Sequence, residues 1–217
     1  MGKNAETTYW NETLLEEVTQ KEATLSKTIT QSDETITTEI ISLQTNNIIN
    51  REEFRGKEPV GTWIKKVNEN IDTINYDFSL VYTESSCPKG ILPDKLELYL
   101  FDEPGYGYIA PCIATGENNI PDYLHKRMFS HYPAICAQAE NNFPPQRVVL
   151  EFSITKEGNV SGISIIESAN ELYDKEAFRL VRELKFSNPP FRNGEAQDIC
   201  VRCPILFNPL LFCPKKL

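Results

Sequence analysis

Hydrophobic and polar positions alternate most regularly in the second half of the chain. Val148, Leu150, Phe152 and Ile154 take every second position, the period of a strand with one buried face. Glu157-Gly158-Asn159 supplies residues that tolerate positive φ, so a tight reversal into a second antiparallel strand over Val160–Glu167 is expected. After a polar break at Ser168–Glu171 the period changes. Tyr173, Ala177, Leu180, Val181 and Leu184 then fall on one side of a helix that can cover the hairpin. Ser187-Asn188-Pro189-Pro190 is expected to end this helix, because proline has no N–H and restricts the residue before it. Arg192-Asn193-Gly194-Glu195 reads as a turn, and Ile199, Val201, Cys203, Ile205 and Phe207 alternate in a third strand. Upstream, Ile120–Pro133 and Ala134–Asn141 predict two short helices.

The first half has a different texture. Thr7–Gln20, with Trp10, Leu14, Leu15 and Val18, carries a short helical pattern. Thr24–Thr30, Thr35–Leu43, Asn47–Phe54, Thr62–Val67 and Thr73–Val81 are rich in Thr, Ile, Val and aromatics. They are separated by Ser32-Asp33, Thr45-Asn46, Gly56–Gly61 and Asn68–Asn70, which predicts a meander of hairpins. Between Cys87 and Gly116 prolines accumulate around one further strand, Lys95–Phe101, and the domain boundary is placed here, giving domains 1–104 and 105–217. The apolar tail Leu210–Cys213 is expected to pack back on the fold.

Composition narrows the classes. A chain of 217 residues, 40% hydrophobic and 24% charged, can bury a core in one or two domains. With 22 basic against 31 acidic residues and a net charge of −9, no basic stripe is available for nucleic acid or an anionic membrane. No apolar run approaches the roughly 20 residues that span a bilayer. Met1-Gly-Lys-Asn-Ala-Glu lacks a charged region followed by an apolar core, so the expectation is that any secretory signal has been removed.

The ordered set Tyr132-Pro133, Ala137, Val148–Phe152, Glu157–Val160, Asp174–Ala177, Val181, Asn193-Gly194 and Pro204–Phe207 resembles the TonB C-terminal domain family over about residues 113–207. It is similar in particular to envelope versions in which a short helix, here Pro121–Ser130, leads into the Tyr-Pro pair. Ahead of it, Glu53–Asn70 with Gly56, Gly61 and Trp63 resembles one MORN-like hairpin repeat, within about residues 53–78. The fold class expected is α+β: an antiparallel β-meander, then a TonB-like domain of three antiparallel strands covered by helices. The resemblance implies a location in the Gram-negative envelope, in the periplasm or tethered to the outer membrane and facing the periplasm.

The resemblance also implies that the last strand lies at a sheet edge and pairs with an extended segment of a protein partner, such as an outer-membrane receptor. Carried over, the protein-binding residues are Asp198, Ile199, Cys200, Val201, Arg202 and Cys203, with Ser130, His131, Tyr132 and Pro133 beside them. Pro204 bears on this. If its nitrogen faces the open edge, the pairable length shrinks to Asp198–Cys203; equally, it reads as a guard against unwanted pairing. The membrane anchor and Pro-rich spacer of the family's energy transducers have no counterpart here.

Other chemistry finds little support. Six cysteines allow 15 pairings, so connectivity stays open. Cys200 and Cys203 have redox and zinc spacing, but on a strand their sulfurs take opposite faces, which defeats the redox reading, and zinc would need two further ligands from Cys87, Cys112, Cys136, Cys213, His125 or His131, none at a standard second spacing. His125 and His131 show no nucleophile-elbow or metalloprotease pattern, and Gly105-Tyr-Gly-Tyr108 lacks the following helix of a phosphate cradle. No cofactor, metal or catalytic residue is therefore expected. The expectation is a non-enzymatic interaction protein related to TonB-dependent transport. The alternative is a structural or dimerisation module of the envelope with no peptide ligand.

Overall fold

The computed structural model describes residues 4–11, 14, 16–56, 58–67, 70–87, 92, 111–117, 119–128, 145–192 and 194–208. Two compact units divide the chain, Met1–Ser79 and Leu80–Leu217.

The first unit is an antiparallel meander of β1 (Asn4–Trp10), β2 (Leu25–Ser32), β3 (Thr35–Ser42), β4 (Ile48–Arg55), β5 (Glu58–Pro59), β6 (Thr62–Val67) and β7 (Asn70–Asn75). The strands lie in the order β1-β2-β3-β4-β6-β7, with β5 paired to β4. Reversals fall where the sequence can leave the β region: Asp33, Asn46, Gly56 and Gly61 all have positive φ. The pairing register sets Leu25, Ile40, Phe54, Trp63 and Ile74 on one face. Here the Trp63 ring lies 4.9 Å from both Phe54 and Tyr76, and its indole N–H donates to the carbonyls of Glu53 and Val60 at 3.1 Å. The opposite face holds Thr28, Thr30, Thr37, Glu39 and Arg51. β-Branched Thr suits a pleated surface without needing a second layer over it.

The helix expected over Thr7–Gln20 does not form. Asn4–Trp10 is instead strand β1, in register with β2 from Asn4↔Gln31 to Trp10↔Leu25, and Trp10 bridges back to Glu17. Trp10, Leu14 and Val18 have helical spacing, but Thr7-Thr8-Tyr9-Trp10 consists of good strand formers, and a long ladder outweighs a weak local period.

In the second unit, β8 (Gln146–Ile154), β9 (Val160–Glu167) and β12 (Ile199–Phe207) form an antiparallel sheet in the order β12-β8-β9. Residues 120–128 are helical (α1), and Glu171–Arg182 forms α2. The short strands β10 (Phe191–Arg192) and β11 (Glu195–Ala196) pair with each other on either side of the turn at Gly194. Val148, Leu150, Phe152 and Ile154 share one sheet face with Val201, Cys203, Ile205 and Phe207, all buried. α2 packs on that face. Its Tyr173 ring sits 5.1 Å from Phe207, and Ala177, Leu180 and Val181 are fully buried. Asn170 caps the helix by accepting from the N–H groups of Leu172 and Tyr173.

α2 ends at Arg182, before the Ser187–Pro190 breaker, because Lys185 and Phe186 leave the helical path to bridge Asn159 and Ile113. Its polar side is buried as well. Arg179 makes two bonds to Glu176, at 2.8 and 2.6 Å, and one to Glu183 at 2.8 Å. Asp174 accepts from Ser168, the Ala169 N–H and the Tyr82 hydroxyl. In α1, Ile120, Tyr123, Leu124 and Met128 are buried, and among the described residues the Tyr123 hydroxyl has no hydrogen-bond partner.

The division of units lies earlier than the composition placed it, because residues 80–87 attach to the second sheet. The Ile165 N–H donates to Val81 and the Thr83 N–H to Ile165, which sets Tyr82 parallel to β9. The expected elements Lys95–Phe101, Ala134–Asn141 and Leu210–Cys213 lie outside the described residues.

Two substitutions probe this packing. Gly158 has φ +80°, and an added Cβ would lie 3.3 Å from the Phe186 carbonyl, so Gly158→Ala is expected to cost roughly 1–3 kcal/mol, read as a lower denaturant midpoint. Removing the unpaired hydroxyl in Tyr123→Phe is expected to leave the midpoint unchanged or raise it, by up to about 1 kcal/mol.

Candidate functional site

Among the described residues β12 has one ladder neighbour, β8, with unbroken register from Ile199↔Ile154 to Phe207↔Gln146. In an antiparallel pair alternate residues exchange both backbone bonds with the partner, and the residues between them turn their groups the other way. Pro204 sits mid-ladder opposite Val149 and has no N–H to give. It must therefore belong to the outward set. Residues 199, 201, 203, 205 and 207 thus bond to β8, while 200, 202, 204 and 206 turn their backbone groups away from it, to an edge that is unpaired among the described residues. Before Pro204, the outward N–H donors are those of Cys200 and Arg202.

The expected site residues divide accordingly. Val201 and Cys203 are buried against the core, Ile199 is half-buried, and the Asp198 carboxylate accepts from the Lys156 N–H at 2.7 Å. Cys200 and Arg202 project from the face turned away from α2. Ser130, His131, Tyr132 and Pro133 lie outside the described residues. His125 is exposed on α1, and among the described residues no cluster of His, Cys, Asp or Glu could hold a metal.

The outer face holds groups that the sequence reading missed. Residues 81–87 form a strap that starts beside β9 at Tyr82, crosses β8 and ends over β12, where Cys87 is disulfide-bonded to Cys200 with Cα atoms 6.1 Å apart. Beneath it Glu151 is 2% exposed. Its carboxylate accepts from the Ser85 hydroxyl at 2.6 Å and from the N–H groups of Ser86 and Cys87 at 3.0 and 3.2 Å. Arg202 donates to it through Nε and Nη2 at 3.0 and 2.6 Å, and also reaches Ser85 Oγ and the Cys87 carbonyl. Burial alone would raise the Glu151 pKa; the hydrogen bonds from Ser85, Arg202, Ser86 and Cys87 outweigh it and hold the carboxyl below its ordinary range.

A signal for this cluster was present in Val148-Val149-Leu150-Glu151-Phe152. Val149 is apolar where a one-sided strand would be polar, and it is fully buried, so both faces of β8 are covered. On the other face burial pushes the Cys203 thiol up to about 12. Cys203 is therefore a protonated packing residue and not the second half of a redox pair with Cys200, in line with the sequence argument.

Because Glu151 has a depressed folded pKa, its contribution to stability is fully present above the unfolded carboxyl value of about 4.3 and disappears as pH falls through the folded value. Glu151→Gln is expected to cost about 1.5–3 kcal/mol at pH 7. The gap between wild type and variant should close on acidification below about pH 4.3, measured by denaturant titration at stepped pH.

Among curated proteins and solved structures, none matches the chain significantly. Residues 131–209 match the family model described as Gram-negative bacterial TonB protein C-terminal. Over those residues the C-terminal part of this chain is similar to the TonB C-terminal family, and the three-stranded sheet β12-β8-β9 lies within the matched segment.

Proposed function

We propose that this chain is a non-enzymatic protein of the Gram-negative envelope that recognises an extended segment of another protein by adding it as a strand beside β12. The family match supports a TonB-related envelope protein. The observation that carries the finer reading is the position of β12 at the end of the order β12-β8-β9, with the backbone groups of Cys200 and Arg202 turned outward. An open edge of this kind supplies affinity through main-chain hydrogen bonds and selects its partner through alternate side chains.

The match and the edge together favour a periplasmic setting, and a receptor segment from the outer membrane is the partner class. Pro204 limits the docked strand to the first half of β12, which makes a short segment the fitting ligand. No helix among the described residues is long and apolar enough to cross a membrane.

A paired substitution tests it. Arg202→Ala and Arg202→Pro lose the Glu151 pair equally, but only proline also removes the outward N–H. In capture from an envelope extract, Arg202→Pro is expected to recover at least fivefold less partner than Arg202→Ala. Equal recovery from the two variants overturns edge-strand recognition.

A further inference from the structure

The two outward donors ahead of Pro204 are both tied to the strap, Cys200 by the disulfide to Cys87 and Arg202 by hydrogen bonds to Ser85 and Cys87. A strand held by a single ladder frays from its ends. Here the end that frays would carry the proposed docking groups. We propose that the Cys87–Cys200 disulfide is a redox-controlled clamp on the docking edge: oxidised, it holds the first half of β12 in register for a partner; reduced, it releases that half and switches docking off. This rests on the edge-pairing reading above and names its regulation.

The chemistry is thiol–disulfide exchange with a dithiol reductant. Cys87 is buried at 6% exposure, whereas Cys200 is half-buried, so the incoming thiolate attacks Cys200 Sγ. The Cys87–Cys200 bond breaks and Cys87 sulfur leaves with the electron pair. Cys87 then takes a proton from solvent. The second thiol of the reductant attacks its own sulfur in the mixed disulfide, Cys200 is released and protonated, and the reductant departs as a disulfide. Two electrons and two protons have passed to the protein.

Once the covalent tie is gone, the strap is held by its bonds to Glu151, its links to Arg202 and the backbone pairing of residues 81–83 with Ile165. The bonds to Glu151 and Arg202 are cooperative: Ser85 and Cys87 each touch both charged groups, so when the strap lifts Arg202 loses two of its contacts at once. The inward ladder of α2, β8 and β9 does not depend on the tie, because it packs on the opposite face.

Hydrogen exchange read by mass spectrometry, on the full chain oxidised and after treatment with dithiothreitol, tests the clamp directly. The double variant Cys87→Ser, Cys200→Ser serves as a permanently released form. Amides in residues 85–87 and 199–203 are expected to exchange at least tenfold faster in the reduced chain and in the variant, with those of 172–181 unchanged. Unchanged protection at 85–87 and 199–203 overturns the clamp. So does parallel acceleration at 172–181, which would mean that the bond merely staples the whole unit. In the capture experiment, recovery from the reduced chain is expected to fall at least fivefold below the oxidised chain; equal or greater recovery overturns the regulation. The edge reading fails separately, on equal recovery by oxidised Arg202→Ala and Arg202→Pro, and the exchange result still decides the clamp in that case.

Discussion

The second unit is built around a central strand with no side left for water. Val148, Leu150 and Phe152 of β8 face the helix, and on the reverse Val149 and Glu151 are 0% and 2% exposed. An ionised carboxylate in that position has to be met by donors, since leaving it bare costs several kcal/mol. Ser85, Ser86, Cys87 and Arg202 supply them. The course of residues 81–87 over the sheet, and the anchoring of the first half of β12, both follow from where this one acid is buried.

The same arrangement separates two jobs within β12. Val201, Cys203, Ile205 and Phe207 serve the core, so their identities are set by volume and apolarity. Cys200, Arg202, Pro204 and Leu206 serve the outer side, where Leu206 is 61% exposed and Pro204 leaves a gap in the row of donors. A single residue type without an N–H thereby fixes which half of the strand's backbone is inside the sheet and which half is offered outward. The ladder to β8 is no weaker for it.

Much of this was legible in the chain. The alternation in 148–154 and 199–207, the turns at Gly158 and Gly194, and the Thr-rich hairpins of the first unit all depend on local rules of period and φ. What was not legible depends on contacts distant in sequence. Trp10, Leu14 and Val18 satisfied a helical period, yet β1 is decided by a partner strand some fifteen residues later. A helical wheel sets Arg179 opposite the apolar stripe, whereas here it is buried and paired with Glu176. The disulfide was one of 15 pairings, and nothing in the spacing of Cys87 and Cys200 singled it out. Of the proposed edge, the strand and its alternation were readable; the strap that holds it was not.

Considered as a polymer, the second unit contains a closed covalent ring, since Cys87 and Cys200 are 113 positions apart and joined at the sulfurs. α1, β8, β9 and α2 all belong to its circumference. A single backbone break anywhere on that circumference opens the ring into a line but separates no fragment, so the oxidised molecule survives a cleavage that would divide an unbridged chain in two.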